Sequence, residues 1–499
     1  MSARREPFIS SHRVNMKRRS TRSCISILAV TFLATIAPAQ DRFTLSPYAK
    51  SRAFIVGKDA RDRAAAGEAK KASPALIKKP WLAAWETVAS NVLTWSVDRY
   101  LFNRDYSHVS PRTWIANLKA GFAFDSDAFI TNFLAHPLHG SVYFNTARSL
   151  GMNFFESIPY TFGGSLLWEE FGENTRPSID DLILTTSAGI CIGETLFRLS
   201  SQILDDTASG RDRFWREVAA TIVDPVRGLN RLISGDWKRV MSTNGQLREP
   251  IHGSVAVSEK LVMGNSGTSN PVSSVGIEFD TVYGQSSEKV VARSPFDLIV
   301  LSAEVRYRER KIYGFANAYA LWIGKQSFTK GGQRHLLGLF QHYDYMKIEL
   351  FHMGGTSLTG GLISMFPLGN KFELNTSMQL GPFLFGASDN RYTQIAQRDY
   401  NYGSGATLKL DAWVSHPKYG ALMFKLNHFH IFTLEGVALE ANESQDFLTT
   451  LGVYYAVPLW NSLSLRAEYV IYDRHIHFHG PAPESIKESL AGVSLDFRF

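Results

Sequence analysis

The last nine residues of the chain, Ala491-Gly492-Val493-Ser494-Leu495-Asp496-Phe497-Arg498-Phe499, decide the fold class. Apolar side chains occupy every second position, and Gly, Ser, Asp and Arg occupy the positions between them. Successive side chains of a β-strand point to opposite faces, so this stretch predicts a strand with one apolar and one polar face. A strand of a soluble protein can also end in this way. The rest of the C-terminal half must therefore distinguish a soluble sheet from a membrane β-barrel.

The same two-residue period recurs in four further segments of the C-terminal half. These are residues 301–307, 371–380, 406–412 and 463–469. In a soluble sandwich the polar face meets bulk water, whereas in a membrane barrel it lines the lumen and the apolar face meets lipid. Alternation alone therefore predicts an antiparallel sheet without choosing between these folds.

The connections between these segments favour a barrel. Residues 366–370 and 457–461 form two similar short turns, whereas residues 386–400 and 434–445 are longer and polar. Short turns at one rim and long loops at the other are typical of outer-membrane barrels. Between residues 272 and 499 we count about 12 strand-like stretches, an even number that would close a barrel without an exposed edge.

The terminal strand resembles that of bacterial outer-membrane barrels, in which an alternating apolar strand with a C-terminal Phe is what the assembly machinery reads. This resemblance implies two partners for the chain. We expect the barrel-assembly machinery to bind the strand that ends at Phe499, and lipids of the outer membrane to cover the apolar face.

The N-terminal residues 1–39 have the organisation of a secretory signal peptide. A basic stretch precedes the apolar residues 25–36, and Ala37 and Ala39 fit cleavage after Ala39. Met16, followed by three basic residues, is an alternative start. Residues 40–80 are charged and rich in Ala, which predicts a flexible tether. Because much of the net charge of +7 lies in the signal, it indicates no nucleic-acid partner.

The composition narrows the class of protein further. The 33 Phe, 19 Tyr and 10 Trp suit a protein with aromatic belts at two membrane interfaces. The mean hydropathy of -0.11 is too polar for a helical inner-membrane transporter. Of the two cysteines, Cys24 lies in the predicted signal. The sequence after it contains Cys191 as its one cysteine, which excludes an intramolecular disulfide and a cysteine-rich metal site. We expect no cofactor.

Residues 81–237 lack the two-residue period, and their long apolar segments predict helices. Ser178 is a good helix cap because Asp181 follows three residues later, ahead of an apolar run that extends to about Leu199. Residues 128–147 contain no charged side chain, but Pro137 would break a single membrane-spanning helix there. We expect two shorter helices packed on or inside a barrel. The predicted fold is α+β, with a helical domain at 81–237 followed by an antiparallel transmembrane β-barrel at 250–499.

The helical segment resembles a family known only as domain of unknown function 3943, from Gram-negative envelopes. The resemblance spans roughly Trp81 to Trp237. It is carried by Asp125-Ser126-Asp127-Ala128-Phe129, Asn132, His136-Pro137, Gly140, Tyr143, Ala147-Arg148, Gly151, Ser165, Trp168-Glu169, Pro177-Ser178, Asp181-Leu182, Gly189, Gly193-Glu194, Asn230-Arg231-Leu232 and Gly235. It implies an envelope protein with helices next to a barrel, and it supplies no catalytic residues.

One candidate catalytic set combines a histidine with nearby acids. His136 could act as a general base or metal ligand, with Asp127, Glu169 or Glu173 orienting it, because imidazole and carboxylates tune each other's charge. The alternative that we favour is a structural network that holds the helices together. The Gly-x-Ser-x-Gly pattern of many hydrolases is absent around the serines that follow glycine.

Two further groups are candidate binding sites. Arg148, Glu194 and Arg198 are candidate binding residues, although a structural network is the favoured alternative, since Glu194 and Arg198 lie one helical turn apart. The other group has three imidazoles at alternate positions of one strand, which can bind zinc or copper. The alternative is an exposed strand near the outer rim. These three are His475, His477 and His479.

Two classes of function remain. The first is an outer-membrane barrel with a helical domain that plugs, gates or docks on it, acting in permeation or envelope organisation. The helical domain would then be periplasmic or face the lumen. The second is an outer-membrane hydrolase that modifies lipid or lipopolysaccharide. The two differ in whether His136 and its acids line an open cleft or stay closed between helices.

Overall fold

The structure of the chain is a computed structural model. It describes residues 78–264, 272–284, 295–329, 331–348, 351–389, 398–435, 444–480 and 482–499. The predicted signal peptide and nearly all of the predicted tether lie outside these ranges.

Helices come first in the described part of the chain, and we call residues 80–234 the helical region. The α-helices are α1 (Pro80–Ser96), α2 (Pro111–Ala120), α3 (His136–Ser149), α4 (Phe154–Leu167), α5 (Ile179–Ile203), α6 (Gly210–Val223) and α7 (Pro225–Ser234). The Ser178 side chain caps α5 by accepting a hydrogen bond from the Asp181 backbone N–H, as predicted.

Helix α3 differs from the expectation of two shorter helices. A π-helical turn at Thr131–Ala135 leads directly into α3, so the chain stays helical through Pro137. Pro137 lacks the N–H that an α-helix would use at this position. The wider preceding turn accommodates the missing hydrogen bond, and the helix continues instead of breaking.

Twelve antiparallel strands close a barrel, which confirms the predicted fold class and strand number. They are β1 (Ile251–Gly264), β2 (Val272–Tyr283), β3 (Ile299–Arg308), β4 (Lys311–Phe328), β5 (Arg334–Lys347), β6 (His352–Gly369), β7 (Phe372–Asp389), β8 (Tyr400–His416), β9 (Gly420–Glu435), β10 (Ser444–Trp460), β11 (Leu463–Phe478) and β12 (Glu484–Arg498). The first strand begins at Ile251, ahead of the point from which we counted strands.

Pairing of the first and last strands closes the barrel. Gly253 and Phe499 exchange both backbone hydrogen bonds, and β1 pairs with β12 along its length. On β12 the side chains of Val493 and Phe497 are exposed, whereas Asp496 is buried. The apolar face of the terminal strand therefore points outward and its polar face points into the lumen.

The lumen of the barrel is packed with side chains. The Lys260 Nζ lies 2.9, 3.0 and 2.6 Å from carboxylate oxygens of three glutamates on other strands. Lys409 on β8 pairs with Asp344 on β5 at 2.7 Å, three strands away. Two cavities between described lumenal side chains have volumes of about 70 Å³ and about 40 Å³. The glutamates are Glu278, Glu304 and Glu468.

A buried apolar cluster lies inside the barrel toward the end opposite the chain termini. Phe351, between β5 and β6, is 1% exposed, and the rings of Phe383 and Phe429 pack edge to face at 5.8 Å between centroids. Met353, Ile431 and Leu448 belong to the same buried cluster.

The helical region packs against the outer face of the barrel wall. On β5, His342 and Asp344 point into the lumen, and the alternate residues Gln341 and Tyr343 contact helices. Both faces of β5 are therefore buried from residue 340 to residue 346. The Gln341 side chain donates to the Ser187 carbonyl oxygen of α5 at 2.7 Å.

Candidate functional site

Acidic side chains collect where the start of α5 meets the barrel. Asp180 and Asp181 lie in the first turn of α5, where the helix dipole favours negative charge. The loop before α3 brings Asp125 beside them, because the backbone of Ala123 bridges to Ser178. One oxygen from each of the three carboxylates lies within 4.8 Å of the others.

Two tyrosines of β8 connect this acidic cluster to the barrel. The Tyr402 hydroxyl donates to Asp125 Oδ1 at 2.6 Å and also contacts Asp180 Oδ2. The Tyr400 hydroxyl donates to the Asp127 carbonyl oxygen at 2.9 Å. Both rings are fully buried between strand and helices. Polar contacts therefore join a loop, a helix start and the barrel wall at one point.

Asn132, in the π-turn before α3, lies in the centre of this junction. Its Nδ2 is 2.7 Å from Asp125 Oδ1, 3.3 Å from Asp180 Oδ2, and 2.9 and 2.5 Å from the Tyr400 and Tyr402 hydroxyls. The side chain is fully buried, yet its Oδ1 has no hydrogen-bond partner. The Oδ1 of Asp181 is likewise buried without such a partner.

The predicted base His136 does not meet its predicted acids. Its Nε2 lies 3.6 Å from Asp181 Oδ1, and the side chain is buried. Glu169 instead accepts a hydrogen bond from the Ser178 backbone N–H at 2.8 Å. Glu173 accepts from Trp168 Nε1 at 2.8 Å. These acids therefore bind the surrounding loop and helix.

Burial also changes the charge of two of the predicted acids. Desolvation raises the pKa of Asp127 to about 6, and the nearby Asp125 charge adds to this effect. Desolvation raises the pKa of Glu173 to about 7, against the effect of its hydrogen bonds with Thr175 and Trp168. Both carboxyls therefore hold their protons at a higher pH than exposed acids do.

The second candidate set lies near the other end of α5. Glu194 accepts from Arg148 Nε at 2.6 Å and from Arg198 Nε at 2.7 Å. Arg198 also pairs with Asp297, between β2 and β3, at 3.1 Å. All three predicted residues meet in one buried network, which fixes α3 and α5 to the barrel.

Of the three histidines, His475 and His477 lie on the outer face of β11, near the rim opposite the chain termini. Exposed His475 contacts Asp473 at 3.0 Å, and the His477 ring packs against Phe447. In the described part of the chain, the group of three or more potential ligands within reach of one ion is the aspartate cluster. His479 follows the end of the strand.

Sequence reasoning missed the central residues of the junction. Asp125 and Asn132 were noted only as positions of the family resemblance, and Tyr400 and Tyr402 were not singled out. The two tyrosines are separated from Asn132 by 268 and 270 residues, so no local pattern connects them.

Solved structures that are similar to part of the chain include bacterial outer-membrane proteins. The COG4313 outer membrane channel of Pseudomonas putida F1 is 10% identical over 51% of this chain and 96% of its own, with a TM-score of 0.29. The P. putida toluene transporter TodX is 10% identical over 50% of this chain and 90% of its own, with a TM-score of 0.21. The beta domain of the Bordetella autotransporter BrkA is 12% identical over 50% of this chain and 100% of its own, with a TM-score of 0.22. Similarity at this level does not bear on function.

No curated protein matches the chain. Residues 121–226 match the family model described as Domain of unknown function (DUF3943), which confirms the family resemblance over those residues. The match includes the acidic cluster and most of the helices that pack on the barrel.

Proposed function

We propose that the chain is an outer-membrane protein whose barrel has a closed lumen and holds the helical region in the lipid, against its outer wall. In this proposal the protein acts in envelope organisation, as a membrane-embedded scaffold, and does not act as an open diffusion channel. The burial of both faces of β5 is the observation that carries the proposal.

The outer surface of the barrel suits a lipid environment. Away from the helices, outward side chains such as Val257, Val275 and Leu380 are apolar and more than half exposed. Aromatic side chains are exposed at the rim that carries the chain termini, including Tyr419 and Trp460. An apolar band with aromatic residues at its edge is the surface of an outer-membrane barrel.

The helical region has an uncharged layer of its own. Four helical stretches contain no Asp, Glu, Lys or Arg, and contacts join them to one another. Gly140 contacts Gly189, Gly164 contacts Tyr143, and the Asn91 side chain donates to the Gly164 carbonyl oxygen at 3.0 Å. The stretches are residues 87–97, 128–147, 157–168 and 182–193.

The charged groups of α5 lie on either side of that layer. Asp181 lies in the first turn of the helix and Glu194 lies thirteen residues later, a rise of about 20 Å. The apolar band of an outer-membrane barrel is about 25 Å tall. Both charged groups are buried inside the region, whereas Trp85, Leu93 and Phe155 are more than half exposed. Buried charge with exposed apolar surface is the distribution expected in lipid.

Side chains of the barrel itself, and not the helices, fill the lumen. The apolar cluster around Phe383 and the ion pairs of Lys260 cross the space that a solute would need. Cavities of about 70 and about 40 Å³ hold only small numbers of water molecules. The lipid-hydrolase alternative has no support, because His136 and Glu169 are buried.

Conductance of the refolded full-length protein in planar bilayers tests the closed lumen. We expect no steady open-pore current from the natural protein. The double variant Phe383→Ala with Phe429→Ala removes two lumenal rings and should introduce a current. Phe432→Ala, which removes an outward ring on the same strand as Phe429, is the control and should not. Large steady steps from the natural protein would contradict the proposal.

A further inference from the structure

We infer that α6 and α7 lie in the headgroup region of the periplasmic leaflet and bind anionic phospholipids there. This interaction rests on the proposed function, because the barrel and the uncharged layer of helices must then be embedded in the outer membrane. The observation behind it is that both helices turn their large apolar side chains away from the protein.

Helix α7 has the opposite orientation to an amphipathic helix on a water-soluble protein. Its polar side chains Arg227 and Asn230 are buried, and Arg227 donates to the Phe197 carbonyl oxygen of α5 at 2.8 Å. A helix at a boundary between protein and water buries its apolar face instead. Three apolar side chains on one face of α7 are more than half exposed, namely Leu229, Leu232 and Ile233.

Helix α6 shows the same arrangement in its first turns. Arg213 and Glu217 are buried and pair at 3.3 Å. Phe214 and Trp215 are exposed, and their rings pack edge to face with centroids 5.2 Å apart. Trp is enriched where a membrane meets water, because its ring is apolar and its N–H is polar. The exposed aromatic pair of α6 therefore suits a membrane interface.

Both helices lie next to the rim at which β1 begins. Arg198, near the end of α5, pairs at 3.1 Å with Asp297 between β2 and β3, and Ile251 of β1 pairs with Tyr283 at the end of β2. Arg227 of α7 bonds the last two turns of α5. The two helices therefore lie where the apolar band of the barrel ends and the lipid headgroups begin.

Tight turns assign this rim to the periplasm. Residues 370–371, 417–419 and 461–462 each join two strands there, and the longer connection 284–298 contacts α5 through Asp297. Short turns are typical of the periplasmic rim of an outer-membrane barrel. The headgroups beside α6 and α7 are therefore those of the phospholipids in the periplasmic leaflet.

Exposed basic side chains accompany the apolar faces. Arg211 lies one helical turn before Phe214 and Trp215, and the Lys238 Nζ lies 5.1 Å from the centroid of the Trp237 ring. Helices with an apolar face and nearby Lys or Arg bind anionic membrane surfaces. Of the exposed charged side chains in residues 207–250, four are basic and one is acidic: Arg211, Lys238, Arg239 and Arg248, and Asp212.

Fluorescence quenching in vesicles tests the position of α7. The full-length protein carries a fluorophore at Ile233→Cys, in a background without Cys24 and Cys191, and is refolded in vesicles of phosphatidylcholine and phosphatidylglycerol. The quenchers are a nitroxide on the headgroup, a nitroxide near the end of the acyl chain, and iodide in water. We expect the headgroup nitroxide to quench at least about twofold more than either of the others. A fluorophore at Arg112→Cys is the control and should be quenched mainly by iodide.

The same fluorophore at Ile233→Cys measures the preference for anionic lipid. At equal mole fractions, a headgroup nitroxide on phosphatidylglycerol should quench about twofold more than one on phosphatidylcholine. Arg211→Gln combined with Lys238→Gln should remove this preference. Arg239→Gln is the matched control and should retain it, because Arg239 already pairs with Asp236 at 3.0 Å. Circular dichroism checks that each variant is folded.

A fluorophore at Leu93→Cys distinguishes failure of this proposal from failure of the proposed function. If lipid nitroxides quench at Leu93 but iodide quenches most at Ile233, the helices are embedded and α7 faces water or a protein partner, which overturns the proposal alone. Strongest quenching at Ile233 by the acyl-chain nitroxide, or equal quenching by the two headgroup nitroxides, also overturns it. If iodide quenches most at Leu93, both the proposed function and this proposal are overturned.

Discussion

Gly140 of α3 and Gly189 of α5 touch backbone to backbone. A Cβ atom added at Gly140 would lie 1.9 Å from the Thr185 carbonyl oxygen, and one at Gly189 would lie 2.7 Å from two Gly140 backbone atoms. No side chain can give way at this crossing. Small residues that let helices approach closely are typical of helix packing in membranes.

Alanine at either position should therefore destabilise the helical region. We expect Gly140→Ala to lower the free energy of unfolding by about 1 to 3 kcal/mol, because the helices must separate to admit the methyl group. Gly163→Ala in α4 is the matched control, since nothing lies within 4 Å of its added Cβ. Urea unfolding of the protein refolded in lipid measures both. Equal effects of the two substitutions would argue against the close crossing.

Tyr402→Phe removes the hydroxyl that joins the barrel to the acidic cluster. Because Asp125 and Asp180 both lose a buried hydrogen-bond donor, we expect a loss of roughly 1 to 3 kcal/mol of stability. The matched control is Tyr455→Phe, whose hydroxyl bonds the Tyr419 carbonyl oxygen at an exposed position. Hydrogen exchange should report faster opening of the first turn of α5 in Tyr402→Phe alone. Unchanged exchange there would exclude a coupling role for Tyr402.

The barrel could be predicted because strand periodicity is a local property of sequence. The alternation at residues 491–499 predicts an apolar and a polar face for the last strand. In the structure Val493 points outward and Asp496 points into the lumen, as this pattern predicts. The cap at Ser178 was also local. The position of the helices could not be predicted. The sequence around Gln341 and Tyr343 does not distinguish a barrel surface covered by helices from one covered by lipid. For the same reason, sequence spacing could not show that His136 faces Asp181.

Glu173 should make stability depend on pH. Its folded pKa of about 7 lies above the ordinary value of 4.5 because of burial. The stability that its protonated form contributes is therefore fully present below about pH 4.5 and is lost as the pH rises through about 7. Glu173→Gln mimics the protonated form, since Gln can accept from Trp168 and donate to the Thr175 hydroxyl.

We expect Glu173→Gln to stabilise the protein by roughly 1 to 3 kcal/mol at about pH 8 and to have little effect at about pH 4. Glu156→Gln is the control, because Glu156 is solvated and pairs with Lys78 at the start of the helical region. Urea titrations at the two pH values measure the difference. A Glu173→Gln variant that is less stable at about pH 8 would show that the ionised carboxylate is the favoured form.

Leu93 should lie in lipid if the helical region is embedded in the membrane. Its side chain is 67% exposed on α1, at the uncharged level where Asn91 bonds the Gly164 carbonyl oxygen. Arg112 is exposed on α2, and its charged side chain favours water. We expect a spin label at Leu93→Cys, in a Cys191→Ala background, to relax faster with dissolved oxygen than with a water-soluble nickel complex. The label at Arg112→Cys should show the reverse order. Equal access of the nickel complex to both positions would place the helices in water and leave the barrel as the membrane-embedded part.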